Sequence, residues 1–179
     1  TWGADYFKKK GVDSPRLTIE LMLAHLVRGG LRVQALKQAD QGVDLSLGAF
    51  YRPEGFTEAE GEVEKCAWNC EFYADNADKY LGDEIVASSA SLSKVVYDPL
   101  GIVLAVMPWN YPFWQVMRFA APALAAGNGV VLKHANNVPQ CALAIEQLLR
   151  DAGAPEGLFA TLLVEASEVK GLIEDRRIS

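Results

Sequence analysis

Hydrophobic positions along the chain follow a helical spacing first and a strand-like spacing later. Between residues 62 and 81 they fall three and four positions apart, which predicts a helix with one buried face made of Val63, Cys66, Ala67, Cys70, Tyr73, Ala74, Ala77 and Leu81. Continuous apolar runs at Ile102–Met107 and at residues 129–132 predict two strands that are buried on both faces. Helical spacing returns after each run, at residues 112–126 and 139–152.

The remaining segments extend the alternation of strands and helices. Residues 94–98 and 158–163 are predicted strands, residues 168–175 are a predicted short helix, and Ile178 starts a further strand. Strands that alternate with helices form βαβ units. The expected fold is therefore α/β, with a partial doubly wound parallel sheet preceded by a helical N-terminal segment.

The N-terminal part has a pattern of its own. A short helix is predicted first, and a second helix begins at Ser14-Pro15, with serine as the cap and proline in the first turn. We expect two parts: a helical segment with its linker over residues 1–55, and an incomplete α/β domain over residues 56–179.

Composition excludes several classes of function. The chain has 179 residues, of which 50% are hydrophobic, and a formal net charge of −6, so nucleic acid and anionic membranes are not expected partners. The apolar stretch over residues 101–126 is interrupted by prolines and polar residues, and it does not read as a membrane span. Three cysteines, without disulfide-like spacing, favour a reducing, cytoplasmic location.

A specific motif follows the strand Ile102–Met107, which runs directly into Pro-Trp-Asn-Tyr-Pro at residues 108–112. This arrangement resembles the aldehyde dehydrogenase superfamily, and further similar segments follow in the family's order at residues 122–128, 130–135 and 151–157. The resemblance implies a Rossmann-like domain that binds NADP or NAD, and a small-molecule aldehyde as substrate. It leaves open a homo-oligomer in the complete enzyme.

The resemblance assigns roles to the residues after this strand. Asn110 matches the family's oxyanion asparagine, whose side-chain amide donates a hydrogen bond as negative charge develops on the substrate. The alternative is an asparagine that caps the following helix. Pro108 and Trp109 match residues whose backbone lines the cofactor groove, and the alternative for them is ordinary turn packing.

A second group of cofactor residues follows the next predicted strand. Lys133 matches the lysine that binds the adenine-side ribose, and the alternative is a solvated lysine at a strand end. Ala135 and Asn136 belong to the same cofactor-binding segment. Many NAD-preferring members have glutamate at the position of Asn136, where its charge repels a 2′-phosphate. The neutral amide therefore predicts that NADP is tolerated at least as well as NAD.

Substrate choice is assigned to Arg118. Residues 114–118 and 132–139 most resemble the bacterial succinate-semialdehyde dehydrogenase branch, in which an arginine at this spacing from the oxyanion asparagine holds the far carboxylate of the substrate. A guanidinium suits that task because it binds a carboxylate with two parallel hydrogen bonds. The alternative is a structural arginine that pairs with an acid or extends to the surface.

The cysteines and histidines carry no further assignment. Cys66 and Cys70 lack two more ligands for a metal site, so we interpret both as core residues and expect no metal. Cys141 is also interpreted as a core residue, because the resemblance places the family's nucleophilic cysteine far downstream. His25 is interpreted as helix packing and His134 as a sub-family feature beside Lys133.

The first 36 residues resemble a different family. Asp13-Ser-Pro-Arg-Leu-Thr-Ile-Glu-Leu is similar to the helical N-terminal domain of release-factor glutamine methyltransferases, so an alternative function is a module that binds a translation release factor. The leading expectation is a fragment of an NAD(P)-dependent aldehyde dehydrogenase that oxidises a small carboxylated aldehyde such as succinate semialdehyde. The family's nucleophilic cysteine and general-base glutamate would follow Ser179, so the chain as given is expected to be inactive.

Overall fold

A computed structural model of the chain describes residues 56–179. Its elements, in chain order, are α1 (Phe56–Leu81), β1 (Glu84–Ile85), β2 (Lys94–Val95), β3 (Ile102–Met107), α2 (Pro112–Ala125), β4 (Gly129–His134), α3 (Pro139–Asp151), β5 (Phe159–Thr161), a 3₁₀ turn (Ala166–Glu168) and α4 (Val169–Ile173).

The main sheet is parallel and has the order β3-β4-β5. Ile102 pairs with Gly129 and Met107 with His134, so β3 and β4 run side by side over six residues. On the other side of β3, Ile178 forms a parallel bridge to Ile102. The predicted parallel sheet is therefore confirmed, as is the start of a further strand at Ile178.

The hydrophobic core lies between this sheet and the helices. Helices α2 and α3 contact each other and both contact β4, while α1 packs along α2. The largest fully buried side chains come from the two crossover helices and the central strand: Met117, Leu124, Leu132, Ile145, Leu149, Val116 and Val130. The stripe predicted on α1 supplies Val63, Cys66, Cys70 and Ala77 to the same core.

Both crossover helices end in the same backbone motif. Gly127 at the end of α2 has φ 84°, and Gly153 at the end of α3 has φ 95°. After α2, the N–H groups of Gly127 and Asn128 bond to the carbonyls of Leu124 and Ala123, at 2.8 and 3.0 Å. This is a Schellman arrangement, in which glycine adopts the left-handed conformation without a Cβ penalty. Each helix therefore turns sharply back toward the next strand.

Some predicted boundaries are wrong. The strand predicted at 94–98 is only Lys94–Val95, and it pairs antiparallel with β1, which the sequence analysis did not predict. Both strands of this hairpin are exposed, so neither carries the buried face that creates a recognisable pattern. In the opposite sense, β4 continues two residues past the predicted end, because Lys133 and His134 are also buried strand residues.

Candidate functional site

The candidate site lies at the carboxyl ends of the parallel strands. In such sheets ligands bind outside this edge, where loops leave the strands. Residues 108–111 leave β3 there, and Ala135-Asn136 leave β4 at the neighbouring position. The fold therefore brings both groups of predicted site residues to one edge of the sheet.

Asn110 lies in a tight bend between β3 and α2. It is exposed, and the residue that caps α2 is Tyr111, which has φ 54° and ψ 63° and forms no side-chain capping bond. The interpretation of Asn110 as a helix cap is therefore wrong. Its side-chain amide forms no hydrogen bond with residues 61–179, so within that part of the chain it is available to a ligand.

Two buried side chains bind the backbone that follows Asn110. Glu62 of α1 is 4% exposed, and its Oε1 accepts hydrogen bonds from the N–H groups of Phe113 and Trp114, at 2.8 and 2.7 Å. His134 of β4 contacts the carbonyl oxygen of Pro112 through Nε2, at 3.0 Å. The first turn of α2 is thus held from two sides.

The hydrogen bonds of His134 define its tautomer. Its Nδ1 accepts from the backbone N–H of Ala135 at 2.8 Å, so the ring proton is on Nε2, which donates to Pro112. Burial has the largest effect and lowers the pKa of His134; hydrogen bonds to the backbone carbonyls of Pro112 and Met107 partly oppose it, and the charges of Lys133 and Glu62 have smaller effects of opposite sign. The imidazole therefore serves as a neutral hydrogen-bond donor.

Lys133 is buried, which contradicts its interpretation as a solvated strand-end lysine. Only 5% of its surface is exposed, and its Nζ donates to Oδ1 of Asn136 at 2.6 Å. The amide of Asn136 in turn donates from Nδ2 to Oε2 of Glu165 at 2.6 Å. Among the described residues, no carboxylate lies within ion-pair distance of this lysine.

Sequence reasoning missed Glu62, Glu165 and the structural role of His134. Glu62 had a usable signal, because an acidic residue four positions before Cys66 lies on the apolar stripe of the predicted helix. Glu165 had none, since 29 residues separate it from Asn136 and only the parallel sheet brings the two together.

Arg118 projects from the second turn of α2 and is exposed. It forms no ion pair or hydrogen bond with residues 61–179, so the alternative of an acidic partner in that part of the chain is wrong, whereas its exposure fits the other alternative, an arginine that extends to the surface. Its position on the helix that begins just after Asn110 leaves the predicted substrate role open.

The three cysteines are buried in the core. Burial raises the pKa of Cys70 to about 12 and raises that of Cys66 further. Groups of three or more metal-ligating side chains are absent from the described part of the chain. None of its helices has both the length and the apolar character needed to cross a membrane.

The predicted release-factor module and His25 fall in residues 1–55, which lie outside the described residues. Both stay predictions, as does the domain boundary at residue 55.

Comparison with known proteins gives a consistent picture. The sequence model of the aldehyde dehydrogenase family matches residues 54–179. A probable NADP(+) succinate-semialdehyde dehydrogenase from Synechocystis sp. is 60% identical over 121 residues, and an aldehyde dehydrogenase from Paenarthrobacter nicotinovorans is 54% identical over 126. Each match covers 68% of this chain, and the chain spans only 27% and 28% of these relatives.

Solved structures agree with the sequence relatives. Succinic semialdehyde dehydrogenase from Streptococcus pyogenes, determined in complex with NADP+, superposes with a TM-score of 0.73 at 32% identity, over 95% of this chain and 36% of the other. A structure of Gox0499, described by its cofactor and substrate selection, superposes with a TM-score of 0.77 at 32% identity, over 93% of this chain and 35% of the other.

Proposed function

Because the chain belongs to the aldehyde dehydrogenase family, we propose that residues 56–179 form part of the cofactor-binding region of an NAD(P)-dependent enzyme that oxidises succinate semialdehyde. One observation carries this proposal: Asn110, which follows β3, and the buried Lys133, near the carboxyl end of the neighbouring strand β4, lie at the edge where such sheets bind ligands. Relatives named as NADP(+) succinate-semialdehyde dehydrogenases support the choice of substrate and of a nicotinamide dinucleotide as cofactor, without deciding between NAD and NADP for this chain.

The surroundings of Lys133 fit an adenosine ribose. A buried ammonium that reaches only a neutral amide within the described part of the chain keeps donors for further acceptors, and the ribose hydroxyls are suitable ones. Ala135 and Asn136 leave the strand beside it, and Pro108 and Trp109 leave the neighbouring strand. These residues would hold NADP or NAD, whose nicotinamide supplies the hydride acceptor when the cofactor is bound.

Asn110 fits the role of oxyanion donor. Its amide is exposed and forms no hydrogen bond with the described residues, while Glu62 and His134 hold the turn of α2 that follows it. A donor on a rigid support stabilises the negative charge that develops on an aldehyde oxygen, because it needs no reorganisation during the reaction.

Arg118 fits the role of carboxylate receptor. It is an exposed guanidinium without an acidic partner in residues 61–179, on the helix that starts two residues after Asn110. Such a group binds the distant carboxylate of succinate semialdehyde with two parallel hydrogen bonds, and it has no comparable contact with an uncharged aldehyde.

The test compares two aldehydes. The chain spans about a quarter of the Synechocystis relative. Activity is therefore measured in a hybrid enzyme, in which the matching segment of this chain replaces the corresponding segment of the relative. Arg118→Leu should lower kcat/KM for succinate semialdehyde about ten- to a hundredfold, since a charged hydrogen bond contributes roughly 1.5–3 kcal/mol. With butanal the same variant should lose little.

Arg176→Leu is the matched control, because Arg176 is also exposed and lies in the short segment after α4. It should leave both aldehydes unaffected. Equal losses with both aldehydes in Arg118→Leu would mean that Arg118 supports the fold. A hybrid enzyme that folds but oxidises neither aldehyde would contradict the proposed function itself.

A further inference from the structure

A connected line of three side chains runs along the carboxyl edge of the sheet. Lys133 Nζ donates to Asn136 Oδ1, and Asn136 Nδ2 donates to Glu165 Oε2, each at 2.6 Å. Lys133 is at the end of β4, and Glu165 immediately precedes the 3₁₀ turn that follows β5. The line therefore connects the carboxyl end of β4 with the segment that follows β5.

The direction of these hydrogen bonds follows from the chemistry of the end groups. A lysine ammonium can only donate and a carboxylate can only accept, so the amide of Asn136 must turn its oxygen to Lys133 and its nitrogen to Glu165. Both polar atoms of the Asn136 side chain are therefore already hydrogen-bonded, Oδ1 to Lys133 and Nδ2 to Glu165. Although the side chain of Asn136 is neutral, the carboxylate of Glu165, from the segment after β5, lies next to it.

We propose that Glu165 is a cofactor-selecting residue that makes the site prefer NAD over NADP. The inference rests on the proposed cofactor site at Lys133. A carboxylate beside the ribose can accept a hydrogen bond from the 2′-hydroxyl, and it repels a phosphate at the same atom. Glu165 thus restores the negative charge whose absence at Asn136 predicted tolerance of NADP.

The charge balance of the line supports this inference. Lys133 alone would attract a 2′-phosphate, and Asn136 would not oppose it. Glu165 brings one negative charge to the other end of the same hydrogen-bonded line, which offsets the single positive charge of the lysine. Glu165 is exposed, so no buried contact has to break before it can face a ligand.

The experiment measures binding to the full chain by calorimetry with four probes. NAD and NADP test the whole cofactor, and AMP and adenosine 2′,5′-bisphosphate test the adenosine half alone. Glu165→Gln removes the charge and keeps the shape, and Glu165→Ser is a second variant with a smaller polar side chain. Glu168→Gln is the matched control, because it removes an equal charge from an exposed position in the same turn.

Wild type and Glu168→Gln should bind NAD more tightly than NADP. Both Glu165 variants should bind NADP and the bisphosphate about tenfold more tightly relative to NAD and AMP, since one repulsive charge close to the phosphate has been removed. If the NAD-to-NADP ratio is the same in wild type and both Glu165 variants, the inference is wrong and the cofactor site stands. If folded wild type binds none of the four probes, the proposed cofactor site fails, and the inference fails with it.

Discussion

Asn110 and His134 both lie close to Pro112, Asn110 in sequence and His134 through a hydrogen bond, but Asn110 is exposed and His134 is buried. Asn110 is exposed in the bend before α2, whereas His134 is buried at the end of β4 and bonds to the carbonyl of Pro112. One side chain is available for chemistry and the other holds the backbone. Substitutions at the two positions should therefore affect different measurements.

At Asn110 we expect a loss of activity without a loss of stability. In the hybrid enzyme described above, Asn110→Ala should lower kcat about 10²- to 10³-fold, as removal of one oxyanion donor does elsewhere. The melting temperature should stay close to that of the parent, because this amide forms no capping bond. Asn137→Ala, at an exposed position in the next loop, is the control. A fall in melting temperature together with kcat would instead indicate a structural role.

At His134 we expect a dependence of stability on pH. Burial lowers its pKa in the folded chain, so the unfolded chain binds the proton first as the pH falls. The free energy of unfolding should therefore decrease as the pH drops below about 6.5 and continue to decrease until the folded pKa is reached. His134→Gln should remove this part of the slope in urea unfolding. His25 is present in both proteins, so its contribution cancels. Identical slopes would contradict the prediction.

At the scale of the elements, the effect of replacing a glycine depends on its backbone conformation. Gly101 precedes β3 with φ 119°, a conformation that side chains rarely adopt, whereas Gly171 lies inside α4 with ordinary helical geometry and open space around it. The same substitution should therefore have opposite effects at the two positions.

Gly101→Ala should destabilise the chain by about 1–3 kcal/mol, because the new Cβ strains the backbone at positive φ. Gly171→Ala should stabilise it by about 0.5–1 kcal/mol, because alanine favours a helix more than glycine does. Urea unfolding of the two variants checks both signs. An unchanged stability of Gly101→Ala would mean that the turn before β3 relaxes easily. A lower stability of Gly171→Ala would contradict the prediction for α4.

The elements that the sequence predicted well are those whose side chains are buried in a regular pattern. Helices α2 and α3 and strand β3 follow from their apolar spacing, and the sequence motif Pro108-Trp109-Asn110 identified the loop between β3 and α2 as one part of the candidate site. The hairpin of β1 and β2 has no buried face, so its sequence has no alternation of apolar and polar residues from which it could be predicted. The burial of Lys133 and its link to Glu165 depend on contacts between distant segments, and no local spacing encodes such contacts.

At the scale of the whole molecule, α1 is joined to the α/β unit by polar contacts as well as by its apolar stripe. Besides the two bonds of Glu62, Nδ2 of Asn69 donates to the carbonyl of Met117 at 3.1 Å, and both side chains are buried. These contacts join segments about 50 residues apart in sequence. They define how α1 lies along α2 and, through α2, the position of the Asn110 bend.

Glu62→Ala should therefore be costly. It leaves two N–H groups at the start of α2 without their acceptor, and each unsatisfied group costs about 1–3 kcal/mol. We expect a loss of about 2–4 kcal/mol in the free energy of unfolding, measured by urea titration. Glu62→Gln keeps one carbonyl oxygen and should lose less. Glu71→Ala, on an exposed position of the same helix, should change stability by no more than about 0.5 kcal/mol.

The two backbone amides that Glu62 binds can also be used to measure how firmly α1 is attached to α2. First-turn amides of a helix have no partner within the helix and normally exchange their hydrogen with water quickly. At Phe113 and Trp114 the acceptor is the Glu62 carboxylate of another helix, so these two hydrogens exchange when that carboxylate leaves them, as it does whenever α1 moves away from α2. Their exchange rates in deuterated water would set an upper limit on how often the two helices separate, while the amides of β3 and β4 would report the opening of the sheet.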